Sequence, residues 1–232
     1  MLYLKRSIAF FLTLFLGAAG ITCSSSRVHS KDAELLQSEL YLACFNGDLE
    51  GTKMALKKGA QTWMYCPKTF QRVPSTCEGR TPLTIALTMG HNDLARYLIE
   101  EIKDGVNYND NWGAYPIHCA RSPEMLEYLI RKGAKINMRN RQQNTPLMQR
   151  VRIGCLKSVQ ILIRSGAEVN LQDADGHTAL DFAQGLLSGV KKSKSLKKTE
   201  RREKIRAFQS IIKELKKAGA AASKPYESSG FY

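Results

Sequence analysis

The side chains of this sequence that could carry acid–base or metal chemistry are four histidines and a close pair of aspartates: His29, His91, His118, His177, Asp173 and Asp175. Catalytic and metal-binding motifs place such groups at short, fixed spacings, as in two histidines one helical turn apart. No two of these histidines have such a spacing, and the aspartates directly precede a glycine, where Asp is favoured for local hydrogen bonds in turns. The sequence therefore predicts that the protein is not an enzyme and holds neither a metal nor a cofactor.

The N-terminus has the features of a secretory signal peptide. Lys5 and Arg6 precede an apolar run from Ile8 to Ala19, and small residues follow. The run is shorter than the roughly 20 residues of a membrane-spanning helix, so an uncleaved anchor is the less favoured alternative. We predict a signal peptide over residues 1–22, with cleavage after Ala19, Gly20 or Thr22, and export of the mature chain to the periplasm or beyond it.

Cys23, followed by three serines, resembles the lipid-carrying cysteine of bacterial lipoproteins. Gly20 stands where leucine is usual, and Thr22 is larger than the preferred glycine or alanine, so ordinary cleavage without lipidation stays open. In either case residues 23–32 are predicted to form a Ser-rich tether.

Export permits disulfides among the remaining cysteines. Cys66 and Cys77 flank an insertion over residues 63–77 that also carries Trp63, Tyr65 and Phe70. A bridge between them would close this loop and stabilise the fold by about 2–3 kcal/mol in the loop-entropy model. We favour the disulfide over two free thiols. The other three, Cys44, Cys119 and Cys155, fall in helical patterns and are predicted to be small core residues.

A repeated motif predicts the elements that position all of these residues. Its four copies follow one another at intervals of 34, 30 and 33 residues: Thr81-Pro82-Leu83, Tyr115-Pro116-Ile117, Thr145-Pro146-Leu147 and Thr178-Ala179-Leu180. In each copy a helix N-cap and a first-turn residue precede an apolar helical pattern, a glycine and a second apolar pattern. A Gly-Ala pair then closes the unit, as at Gly166-Ala167. Such a unit buries its apolar faces only against neighbours, so the sequence predicts a solenoid.

These motifs resemble the ankyrin repeat. Gly79-Arg80-Thr81-Pro82-Leu83 matches the opening of that repeat, and Gly166-Ala167-Glu168-Val169-Asn170 matches its close. The resemblance implies an all-α solenoid of about five helix-turn-helix repeats with β-turn fingers and degenerate terminal repeats. The predicted domain spans 33–221, with repeats at about 36–62, 78–109, 110–138, 141–171 and 173–221, insertions at 63–77 and 188–203, and a flexible tail at 222–232. In the short third repeat, Ser122 and Pro123 are predicted to restart the chain as a helix.

Basic residues are concentrated near the C-terminus. The net charge is +14, and residues 190–217 hold twelve Lys or Arg and three Glu. An apolar stripe of Ile205, Phe208, Ile212 and Leu215 predicts that part of this segment is an amphipathic helix docked on the preceding repeat. The charges then serve either as the soluble face of a capping repeat or as an attraction to anionic lipid or an acidic partner. Nucleic acid is not expected, because no aromatic residues alternate with the charges.

The resemblance also implies where partners bind, namely on the finger tips and the first helices. Carried onto this sequence, the surface comprises Arg80, Asn111, Trp112, Ala114, Arg121, Arg141, Gln142, Asn144, Arg152, Asp175 and His177. Trp112 is the preferred anchor, although packing against Tyr108 or the neighbouring finger is an open alternative. The insertion with its aromatic residues is a second candidate surface.

The sequence thus favours an exported, monomeric protein-interaction module. Its expected partner is a cell-envelope component, or a toxin or effector that it holds in check. The alternative is a membrane-surface protein that associates with anionic lipid through the basic last repeat and a lipidated Cys23.

Overall fold

The computed structural model describes residues 25–68, 70, 73–101, 105–193 and 195–223. The predicted signal peptide, Cys23 and residues 224–232 of the predicted tail lie outside them. The chain divides into two units, residues 1–36 and 37–232. The regular elements of the described part are all helices, which confirms the predicted all-α fold. Within that part, no helix combines the length and apolar character needed to cross a membrane.

The described residues of the first unit, 25–36, are helical and belong to α1 (Ser25–Asn46). Residues 25–32 of the predicted Ser-rich tether over 23–32 are therefore the start of this helix. The physical reason is that the sequence contains no glycine or proline between Ser25 and Asn46, so nothing breaks the helix before Gly47.

The second unit contains the remainder of α1 and nine further α-helices in the described part of the chain. They are α2 (Leu49–Lys57), α3 (Pro82–Met89), α4 (Asn92–Glu101), α5 (Pro116–Cys119), α6 (Pro123–Arg131), α7 (Pro146–Ile153), α8 (Leu156–Arg164), α9 (Ala179–Lys192) and α10 (Lys198–Lys217). Together with α1 they form five successive pairs. Neighbouring pairs pack through apolar side chains, and the largest fully buried ones include Leu87, Leu98, Leu129 and Leu147.

Local hydrogen bonds start the first helix of each of the last four pairs where the repeated motif predicts it. The hydroxyl of Thr81 accepts from the backbone N–H of Thr84, and Thr145 and Thr178 cap α7 and α9 in the same way. In the third repeat the Nδ1 atom of His118 accepts from the N–H of Tyr115 at 3.2 Å instead. The predicted restart there is confirmed, since the Ser122 hydroxyl accepts from the Met125 N–H at 3.1 Å.

The last repeat is lengthened within its helices. Residues 188–203 were predicted as an insertion, and the structure assigns most of them to an α9 of 14 residues and an α10 of 20 residues. The buried face of α10 consists of Phe208, Ile211 and Leu215, whereas Ile205 and Ile212 are half-buried. The predicted amphipathic helix is confirmed, but its apolar stripe is shifted by one residue at Ile211.

Three asparagine side chains join successive repeats, and we call these contacts the asparagine bridges. Asn107 donates to the Gly133 carbonyl at 3.0 Å and accepts from the Lys135 N–H at 2.9 Å. Asn170 likewise donates to the Gly219 carbonyl and accepts from the Ala221 N–H. Asn137 accepts from the Glu168 N–H and donates to the carboxylate of that residue. Each bridge satisfies backbone groups at the close of the next repeat.

The start of the predicted tail is also fixed. The N–H and hydroxyl of Ser223 donate to the carboxylate of Asp181 at the start of α9. Burial alone would raise the pKa of Asp181, but hydrogen bonds from Thr178 and Ser223 hold it below its usual value. The prediction that residues 222 and 223 belong to a flexible tail is therefore wrong.

Candidate functional site

Three fingers project between the helix pairs, at residues 110–114, 140–144 and 173–177. The first residue of each finger forms two contacts with the last. Its N–H donates to the carbonyl of the last residue, and its side-chain oxygen accepts from the N–H of that residue at 2.8–2.9 Å. The first residues are Asp110, Asn140 and Asp173. Each finger is therefore a closed turn whose tip residues are set by its own hydrogen bonds.

Trp112 lies at the tip of the first finger. Its backbone N–H donates to Asp110, and its indole Nε1 donates to the Glu78 carbonyl at 2.9 Å. The backbone N–H of Asn111 donates to the Gly79 carbonyl at 2.7 Å, so the finger is joined to the preceding segment at two points. The indole remains 53% exposed. Trp112 therefore packs on the neighbouring segment and still presents a large aromatic face, and its role as an anchor for a partner stays a prediction.

Trp112 and the insertion line one groove of about 380 Å³, which we call the finger groove. An ion pair of 3.1 Å between Lys68 and Glu78 borders it. The two candidate surfaces predicted from the sequence therefore meet at a single site. The lining residues are Cys66, Pro67, Lys68, Glu78, Gly79, Asn111, Trp112 and Arg141.

The insertion contributes an exposed segment directly before the groove-lining residues. Trp63, Met64 and Tyr65 are 67%, 38% and 41% exposed. Phe70 instead packs against the buried Tyr41, with ring centroids 6.0 Å apart. The insertion thus has one aromatic residue that anchors it and three large apolar side chains that face outward.

Two predicted binding residues have structural roles. Arg80 donates from Nε to the Thr76 carbonyl and from Nη1 to the Thr88 hydroxyl, and its Nη1 lies 3.9 Å from the buried carboxylate of Asp110. Asn144 is buried, and its carbonyl accepts from His118. The prediction that Asn144 faces a partner is wrong, and the contacts of Arg80 join the first finger to α3. The sequence did not reveal the contacts of Arg80 with Asp110 or of Asn144 with His118, because each joins two different repeats.

The other predicted binding residues are accessible and stay predictions. Ala114 and His177 are half-buried, and Arg152 lies with its guanidinium 5.7 Å from the ring of Phe182. The exposed residues are Asn111, Trp112, Arg121, Arg141, Gln142, Arg152 and Asp175.

The predicted turn role of the aspartate pair is confirmed. Asp173 Oδ1 accepts from the N–H groups of Asp175 and His177. Ligand atoms of these three residues lie within 4.8 Å of one another. Because hydrogen bonds that close the finger bring them together, their proximity reflects the turn itself.

The predicted disulfide between Cys66 and Cys77 is not formed in the structure, where both cysteines are free and buried. Burial raises the pKa of the Cys66 thiol to about 12 and also raises that of Cys77. Because the thiolate is the form that reacts, burial favours the protonated, less reactive form of both thiols. Cys44 is buried as predicted, while Cys119 and Cys155 are half-buried.

A buried polar cluster lies beneath the second finger, and the sequence analysis missed its central residue. Arg150 of α7 is 2% exposed and donates from Nη1 to the Ala120 carbonyl and from Nη2 to the His118 carbonyl. Burial lowers the pKa of Arg150. His118 in turn contacts the Asn144 carbonyl through Nε2 at 3.1 Å. The cluster joins the third and fourth repeats below the exposed finger tips.

Comparison with known proteins gives the same picture of a repeat array. The family model described as ankyrin repeats (3 copies) matches residues 40–140 and 117–192. The chain is similar to transient receptor potential cation channel subfamily A member 1 of Drosophila melanogaster, with 29% identity over 62% of the chain, and to the putative palmitoyltransferase ZDHHC13 of Danio rerio, with 31% identity over 60%. It also resembles alpha-latrocrustotoxin-Lt1a of Latrodectus tredecimguttatus, with 33% identity over 30% of the chain.

These matches cover 12%, 23% and 5% of the three relatives' own lengths. The chain therefore spans only a small part of the length of each of these relatives. Ankyrin repeats generally mediate protein–protein interaction. On the match over residues 40–192, the chain belongs to the ankyrin-repeat family.

Proposed function

We propose that the protein binds a protein partner through its finger tips, with the finger groove as the centre of the interface. The exposed face of Trp112 carries this proposal. Binding hot spots are enriched in tryptophan and arginine, and a side chain that is already oriented loses little conformational freedom when a partner covers it. Two hydrogen bonds of the Trp112 residue supply that orientation.

The groove also indicates the chemistry of the partner segment. Trp112 and Pro67 present apolar surface, and the exposed Arg141 forms no ion pair with another described residue. Lys68 is paired with Glu78, which leaves the Arg141 guanidinium as the stronger attraction for a carboxylate. A segment that places an apolar side chain next to Asp or Glu fits this arrangement.

Replacing Trp112 and Arg141 together by alanine should weaken partner binding by more than about 30-fold, because hot-spot truncations cost about 2 kcal/mol or more. The measurement is affinity purification with the full chain, quantified by mass spectrometry and followed by titration of the enriched partner. Circular dichroism should show an unchanged fold, since both side chains are exposed.

The matched control is Met54→Ala with Arg164→Ala, which removes one exposed apolar residue and one exposed arginine away from the groove. It should bind as the parent does. Retention of every partner by the Trp112/Arg141 variant would refute the finger groove. Loss on Trp63→Ala with Tyr65→Ala alone would place the interface on the insertion.

We further propose that the chain is exported and that Cys23 carries a lipid. The basic start, the apolar run and the Cys-Ser-Ser-Ser segment support this location. In a bacterial host, labelled palmitate should enter the parent and not Cys23→Ala, and globomycin should cause the unprocessed precursor to accumulate. Absence of label on the parent would refute lipidation and leave the groove proposal untouched.

A second candidate function is association with an anionic membrane surface through the basic last repeat, with the Cys23 lipid as an additional anchor. The observation that favours it is the charge of α10, which has eight basic and three acidic residues among its 20.

A further inference from the structure

The second helix of the last repeat differs from its counterparts in length. α10 has 20 residues, whereas α2, α6 and α8 have nine each. Its apolar side is buried through Phe208, Ile211 and Leu215, so the opposite side faces solvent along the whole helix. The added turns therefore extend the exposed surface of the last repeat.

The charges of α10 are segregated around the helix. At 3.6 residues per turn, one sector of about 100° contains six basic side chains and the uncharged Thr199 and Gln209. Glu200, Glu203 and Glu214 project outside this sector. All six basic residues are exposed, and we call them the cationic face: Lys198, Arg202, Arg206, Lys213, Lys216 and Lys217.

The cationic face is not neutralised by the part of the chain that the structure describes. No ion pair joins any of its six residues to another described residue. The ion pair found on this helix, Lys204 with Glu200 at 2.9 Å, lies off the face. Six like charges thus stand along a helix roughly 28 Å long at a rise of 1.5 Å per residue.

We propose that the cationic face binds the surface of a membrane containing anionic lipid. It contains no aromatic or large aliphatic side chain, so it lacks the apolar anchors that centre most protein interfaces. It also lacks the stacking aromatics of a single-stranded nucleic-acid site. A lipid surface meets all six charges without shape complementarity, and each cation near an anionic leaflet strengthens binding about fivefold. The proposal rests on the second candidate function and specifies the surface and the ligand class.

The test is flotation of the full chain with phosphatidylcholine vesicles that contain or lack phosphatidylserine. Arg202→Gln with Arg206→Gln and Lys213→Gln should lower the phosphatidylserine-dependent partition about 100-fold. Added salt should weaken parent binding, because exposed charges are screened. Any contribution of the apolar N-terminal run is common to all proteins tested and cancels in the comparison.

The control removes three exposed charges elsewhere, by Lys58→Gln, Lys135→Gln and Arg164→Gln, and so has the same net charge as the first variant. It should retain most of the parent's partition, which would show that position and not net charge decides binding. Equal partition of the parent on both kinds of vesicle overturns the proposal, and it is the result expected if the cationic face binds an acidic protein instead. The proposal is also overturned if the control variant loses as much partition as the first variant.

Flotation by Trp112→Ala with Arg141→Ala separates this proposal from the finger groove. That variant should float like the parent. If it does not, the cationic face is not the membrane-binding surface, whatever the outcome of partner purification.

Discussion

Replacing Arg150 by alanine is expected to lower the free energy of unfolding by about 3–4 kcal/mol. The guanidinium is buried and donates to the carbonyls of His118 and Ala120. A buried carbonyl that loses its donor costs about 1–3 kcal/mol, and the cavity left by the arginine stem adds to this. Relief from burying the charge offsets part of the loss.

The shortened third repeat explains why an arginine is needed there. α5 contains only four residues before the chain turns at Ala120 and restarts at Ser122. The last carbonyls of a helix have no partner within it, and in the shortened repeat no further turn covers them. Arg150 supplies the missing donors from the neighbouring repeat.

Urea unfolding followed by circular dichroism measures the effect. Arg150→Met keeps most of the volume and should lose about 2 kcal/mol, because the carbonyls remain without donors. Arg152→Ala, two positions along and exposed, is the control and should lower stability by about 1 kcal/mol or less, through loss of its contact with the Phe182 ring. A loss in Arg150→Ala no larger than in this control would show that the buried contacts do not stabilise the array.

Acidification should destabilise the array through His118 by roughly 3 kcal/mol at most. Burial is the main reason that the pKa of His118 falls from 6.5 to about 4, and the charge of Arg150 contributes to the same shift. Nδ1 accepts from the Tyr115 N–H while Nε2 contacts the Asn144 carbonyl, so the folded state holds the neutral ring with its proton on Nε2.

The sign follows from comparing the folded and unfolded pKa. Above pH 6.5 His118 is neutral in both states, and it contributes no pH dependence. Between pH 6.5 and about 4 the unfolded chain binds a proton that the folded chain does not, so stability decreases as the pH is lowered. Below about 4 both states are protonated and the loss from this residue stops increasing.

The matched comparison is His118→Gln. This substitution lowers the free energy of unfolding at neutral pH and removes the titration of His118. Unfolding free energies should be measured at neutral pH and at about pH 4.5. The parent should lose more stability than the variant between these values. Contributions from Asp110 and Asp181 are common to both proteins and cancel. Equal losses in parent and variant would mean that His118 titrates normally in the folded state.

Local chemistry explains how much of the fold could be predicted. A threonine cap, a following proline and a helix-ending glycine act within one turn of the chain, so the helix starts at Thr81, Thr145 and Thr178 were visible in the sequence. The lengths of α1 and α10 were not, because polar and charged residues continue a helix as readily as they form a loop.

The candidate site was harder to predict, because it is formed by residues that are distant in the sequence. Trp112 could be identified as an exposed turn aromatic, but its groove depends on residues 66–68 of the insertion, which lie more than 40 residues away along the chain. Arg150 did leave a signal. Its equivalents in the other repeats are Ala86, Ala120 and Ala183, which are small and buried. A large charged residue at this position therefore stands out in the sequence.

The asparagine bridges have a consequence for how such a chain can evolve. Each bridge fixes the close of one repeat relative to the close of the previous one, yet the residues it joins are 26 and 28 apart for Asn107 and 49 and 51 apart for Asn170. The same junction therefore forms whatever the number of residues between the asparagine and the backbone groups that it contacts. A repeat can gain or lose helical turns by insertion or deletion while the spacing of the stack is conserved. New surfaces can therefore arise inside a repeat while its contacts with the neighbouring repeats stay the same.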